Sequence, residues 1–200
     1  MKIKIILKEL KKHMPFTLTG ALTGILLMLF FKGSPHRRLE NFFYVLHPLH
    51  VFLSALVTAS MFKIHRKGAK LLLFLFVGYT GSIGIATISD SLIPFLGEAL
   101  LKMPHRHLHI GFVEKWYVVN TVALLGIAVA YNRPQTKFPH AGHVFISTWA
   151  SMFHILMAKS SGILLYEYVF IFVFLFLAVW LPCCVSDIVF PLFFVGGKDE

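Results

Sequence analysis

Apolar residues fall into six long runs, at about 16–31, 42–62, 71–89, 112–131, 140–157 and 163–185, separated by short loops rich in lysine, arginine and histidine. An α-helix needs roughly 20 apolar residues to cross about 30 Å of hydrocarbon. The pattern therefore predicts an all-α membrane protein of six transmembrane helices. The fourth run is the weakest, because Glu114 and Lys115 sit in its first turn and must snorkel to the headgroups.

Composition agrees with this reading. Hydrophobic residues make up 57% of the chain and charged residues 14%, against roughly 25% charged in soluble domains. Lipid must cover most of the outside. The net charge of +10 is spread over the loops, which argues against nucleic acid and for topology signals and contacts with the lipid bilayer. The N-terminal residues 1–14, the 63–70 loop, the 133–137 loop and Lys198 carry 12 Lys and Arg, and the opposite side carries seven. That bias places both termini in the cytoplasm. Residues 1–14 read as a basic amphipathic segment (Lys2, Lys4, Lys8, Lys11, Lys12) without a signal-peptide cleavage site. The minimal loops suit a prokaryotic plasma (inner) membrane, and six short spans leave room for a homo-oligomer.

The chain also resembles itself. Thr19-Gly-Ala-Leu-Thr-Gly-Ile matches Thr121-Val-Ala-Leu-Leu-Gly-Ile, and His47-Pro-Leu-His50-Val-Phe-Leu-Ser54 matches His140-Ala-Gly-His143-Val-Phe-Ile-Ser147. Ser89-Asp90-Ser-Leu-Ile-Pro94 matches Ser186-Asp187-Ile-Val-Phe-Pro191, with Gly97 and Gly196 following. Chance explains shared Ala-Leu pairs, but histidine and aspartate are too rare in spans to recur in order by accident. The predicted units are residues 15–101 and 102–200. Each holds three spans, an odd number, so the second is inverted relative to the first. Pro94 and Pro191 cannot continue an undisturbed helix, so the third span of each repeat is expected to break. Ser89-Asp90 and Ser186-Asp187 would then cap a re-entrant or interfacial segment.

On this topology His47, His50, Ser54 and Asp90 fall near the outer face, and His140, His143, Ser147 and Asp187 near the inner face. Histidines three apart share a helix face. Two imidazoles and a carboxylate make a first shell for a divalent metal ion such as zinc, iron or manganese. The metal candidates are thus His47, His50, Asp90, His140, His143 and Asp187. Accessory candidates are Ser54, Ser89, Ser147, Ser186, Thr19, Thr121, His154 and Glu167, with donors also available from the loop histidines His36, His105, His107, His109, His13 and His65. The glycines Gly20, Gly24, Gly78, Gly81 and Gly84 are read as close helix contacts; Cys183 and Cys184 stand close enough to Ser186-Asp187 to offer thiolates, but with Ala86 and Thr87 in their place in the first half they are read as buried packing.

The function expected is a transporter or channel for a divalent metal ion, coupled to protons. An intramembrane metal-dependent hydrolase is the alternative, although it would need one site and not two. A haem electron-transfer protein comes third, since His47 and His50 project from one side of one helix while axial ligands approach haem from opposite faces. A non-catalytic scaffold stands behind these. No P-loop, nucleophile motif or CxxC pair is present.

Overall fold

Among the described residues, every regular element of the computed structural model is helical. The structure describes residues 2–159 and 162–195; Gly196 and Lys198 lie outside the described residues, as do the side chains of His13, Lys137 and the basic N-terminal residues other than Lys11. The elements are α1 (Lys2–Phe31), α2 (His36–His65), α3 (Leu71–Thr87), α4 (Ile93–Leu100), α5 (Gly111–Glu114), α6 (Trp116–Asn132), α7 (Lys137–Ala158), α8 (Leu165–Cys184) and α9 (Phe190–Phe193). Two π-helical turns, Ile88–Leu92 and Val185–Val189, join α3 to α4 and α8 to α9.

Among the described residues, five helices are long and apolar enough to cross a membrane: Met14–Phe31, His36–His65, Leu71–Leu100, Pro139–Ala158 and Leu165–Phe193. The sixth expected span, α6, has 17 residues and spans about 26 Å at 1.5 Å per residue. It is shorter than sequence suggests because the chain bends at Lys115 (φ −128°, ψ 42°), which puts Glu114 in α5 and outside α6. The N-terminal basic segment continues into α1 as one helix.

The expected breaks are also corrected. The third run does not stop at Asp90; helical hydrogen bonding continues through the π turn, with Ile93 N–H reaching Ile88 C=O. Phe190 N–H reaches Val185 C=O in the same way. Pro94 and Pro191 each fall four residues after the aspartate, where an α-helix would need their missing N–H. The wider π turn accommodates the proline while the helical hydrogen bonding runs on. Neither α4 nor α9 has a side-chain cap, so Asp90 and Asp187 are free to serve elsewhere.

α2 and α7 form the interior. α2 packs on α3, α6 and α7, and α7 packs on α1, α2 and α8. The helices with buried histidine, serine and threonine must be the inner ones, because lipid gives those groups no partner. α2 and α7 run antiparallel: Gln135, just before α7, donates its N–H to Ser60 late in α2, while His36, Leu39, Leu156 and Met157 line one crevice at the other end. Small residues permit the closest approaches. A Cβ on Gly126 would lie 2.5 Å from Phe52 C=O of α2, and one on Gly78 would lie 2.8 Å from Ile127. Gly84 faces open space and packs nothing.

Candidate metal centre

Asp90 and Asp187 each take two imidazoles. His47 Nδ1 lies 2.9 Å and His50 Nδ1 2.6 Å from Asp90 Oδ2. His140 Nδ1 lies 2.6 Å and His143 Nδ1 2.8 Å from Asp187 Oδ2. The three-residue spacing turns both histidines of a pair to one face, and the π turn delivers the carboxylate to it.

The two groups are not separated by the thickness of a bilayer. His50 Nε2 and His143 Nε2 are 2.5 Å apart, so His47, Asp90, His50, His143, Asp187 and His140 form one continuous chain. The separate placement near opposite faces is therefore overturned. It assumed that α2 begins near residue 42 and that the third span ends at Asp90; α2 begins at His36 and helix continues to Leu100. His50 lies midway along α2. Because α2 and α7 are antiparallel, His47 lies toward one end of the bundle and His140 toward the other.

The serines couple the halves reciprocally. Ser147 of α7 donates to Asp90 Oδ1 at 2.9 Å, and Ser54 of α2 lies 3.1 Å from Ser186 Oγ beside Asp187. Ser89 donates to Asp90 Oδ1 at 2.9 Å. One turn further along each helix, Ser151 donates to Ser89 C=O at 3.0 Å and Thr58 lies 3.1 Å from Ser186 Oγ. Thr58 and Ser151 were missed by motif reading, although both sit eight residues after the second histidine.

Each carboxylate fixes its imidazoles with the proton on Nδ1, which leaves Nε2 as a lone-pair donor. Two lone pairs aimed at each other across 2.5 Å repel unless a cation, a proton or a metal ion, lies between them. The arrangement therefore changes the expected ligand roles: the aspartates are placed to orient the rings, and the Nε2 atoms of His50 and His143 are the donors placed to hold a cation. His47 Nε2 is buried and, among the described residues, makes no hydrogen bond. It faces Gly111, where a Cβ would stand 2.6 Å away, while Phe43 stacks on its ring at 5.4 Å.

Other candidates fare differently. Thr19 and Thr121 are exposed and bond to carbonyls of their own helices, while Ala21 and Ala123 on the same helices are buried. Glu167 pairs with Lys159 at 2.7 Å and accepts the Leu164 N–H at the start of α8, a structural role. His154 is buried outside the centre, with Nδ1 2.6 Å from Glu98 Oε1. Glu98, fully buried, carries no sequence signal because it sits beyond the run that 71–89 marked. His65 Nδ1 bonds to Met61 C=O in its own helix.

In the loop, Tyr44 Oη lies 3.3 Å and Glu114 Oε2 3.5 Å from His109 Nδ1. Burial, reinforced by His154 and His107, pushes His109 down to about 4.

Fold and site together define an all-helical protein with the long apolar helices of a membrane protein and a buried histidine–aspartate centre able to hold a metal ion. No protein-family model, curated protein or solved structure matches the chain.

Proposed function

We propose that the chain is an integral membrane transporter or channel for a divalent metal ion, coupled to protons, in which the ion passes through a single centre shared by two inverted halves. The observation that carries this reading is the contact between His50 Nε2 and His143 Nε2, each ring backed by its own aspartate. Buried ionisable groups in spans are costly and mark ion paths. Inverted repeats place their site at the midplane where the halves meet. The reciprocal pairing of Ser147 with Asp90 and of Ser54 with Ser186 supports that relation.

His47 and His140 act as the outer stations, receiving the ion from either end, and His50 and His143 as the inner pair. An arriving divalent cation displaces the proton between the inner imidazoles, so metal and proton move in exchange. The setting is the plasma membrane of a prokaryote, which the minimal loops suit, with both termini cytoplasmic, as the basic loops favour. A single centre would also serve a metal-dependent hydrolase. Against that, the six side chains are at most 8% exposed, which admits an ion more readily than an organic substrate.

Purified protein in proteoliposomes loaded with a metal-sensitive dye tests the assignment. Wild-type protein should pass zinc, and His50→Ala and His143→Ala should each reduce the flux at least tenfold. Undiminished flux in both variants would end the transport reading.

A further inference from the structure

The path just proposed leaves Cys183 of α8 unused. Its sulfur lies 4.0 Å from His50 Nε2, and its thiol donates toward Ser147 Oγ at 3.7 Å. Cys183 Sγ, His50 Nε2 and His143 Nε2 all lie within 4.8 Å of one another, and all three residues are buried. This trio differs from the two His/Asp groups. There, the nitrogens nearest the carboxylate are already bonded to it; here, three donor atoms from α2, α7 and α8 converge on the side of the rings away from the carboxylates, with His50 Nε2 2.5 Å from His143 Nε2 and 4.0 Å from the sulfur. A tetrahedral ion with bonds of about 2.3 Å to sulfur and about 2.0–2.1 Å to nitrogen sets sulfur about 3.6 Å, and nitrogens about 3.3 Å, apart. The sulfur stands 4.0 Å from His50 Nε2 and within 4.8 Å of His143 Nε2, and the two nitrogens, 2.5 Å apart, need to part by under about 1 Å.

We propose that Cys183 supplies a thiolate to the ion held by His50 and His143, making the transported species a borderline-soft, thiophilic divalent ion of the zinc type. The inference rests on the metal reading above and narrows it, since a thiolate disfavours hard ions such as manganese. On binding, the S–H bond breaks and a sulfur–metal bond forms. The thiol proton passes to Ser147 Oγ, and the Ser147 hydroxyl proton moves on to Asp90 Oδ1, 2.9 Å away. The first half has no equivalent donor: Ala86 stands where Cys183 would fall by the 97-residue offset. The centre is therefore asymmetric, with one sulfur.

Cobalt(II) titrated into the full-length protein in detergent reads both layers of the argument. Wild-type protein should bind cobalt and show a thiolate-to-cobalt charge-transfer band in the near ultraviolet alongside the visible ligand-field bands. Cys183→Ser should lose the charge-transfer band, keep the visible bands, and lower zinc affinity at least tenfold while leaving manganese affinity unchanged. Cys184→Ser should keep the charge-transfer band. Cobalt bound by wild-type protein without that band, or a band that survives Cys183→Ser, overturns the thiolate and leaves the histidine centre standing. No cobalt binding by wild-type protein overturns the metal reading itself, and the thiolate with it.

Discussion

Asp90 accepts hydrogen bonds from two imidazoles and two serine hydroxyls, so a single carboxylate sets the direction of both rings. Such partners typically govern metal affinity by 10- to 100-fold. Asp90→Asn should weaken zinc binding by about that factor without removing a ligand, and calorimetry on the purified variant would show it; unchanged affinity would mean the carboxylate does not orient the rings. His109 offers a test by pH. Its imidazole, depressed from 6.5 to about 4 by burial and then by His154 and His107, is neutral in the folded loop. A depressed folded value means that its contribution to stability is complete above pH 6.5 and drains away as pH falls toward 4. An NMR titration of that ring should give a midpoint well below 6.5, and His109→Gln should flatten the acid-side loss of thermal stability.

Helix by helix, the π turns and the glycine contacts carry the architecture. Each π turn admits a proline one step beyond the aspartate's turn and rotates that aspartate toward the histidines. The matched glycines are not equivalent. Gly126 lies against the Phe52 carbonyl of α2, whereas a Cβ on Gly24 would make only ordinary contact at 3.4 Å with Thr148. Gly126→Ala should therefore cost about 1–3 kcal/mol by forcing α6 away from α2, and Gly24→Ala should be near neutral. Melting in detergent distinguishes them, and equal melting temperatures for the two variants would refute the packing argument.

Across the whole molecule, α1 rests on α7 and α6 on α2, so each half is braced by the first helix of the other and the centre belongs to both. One shared centre makes a quantitative demand. His50→Ala and His143→Ala should each abolish high-affinity binding, and the double variant should be no worse than either single one, because both remove the same ion. Equilibrium binding should saturate at one zinc per chain. Two independent sites would give two ions and multiplying losses.

The one-dimensional pattern was enough for the helical class, the apolar segments, the HxxH pairs and the two Ser-Asp strings, because each depends on local periodicity or on residue types rare in lipid. Glu98 cannot be recognised that way because it lies past the expected helix end; Cys183 is visible beside Ser186-Asp187 as a thiolate candidate, but with Ala86 in its place in the first half only the folded chain shows its sulfur 4.0 Å from His50 Nε2. Where the histidine pairs stand relative to one another depended on where helices begin, whether Pro94 and Pro191 interrupt them, and how α2 and α7 cross. Those are decided by packing and by the π turns, which tie residues 43 or 93 positions apart and leave no trace in local periodicity. Only the folded chain brings four imidazoles and two carboxylates into a single line.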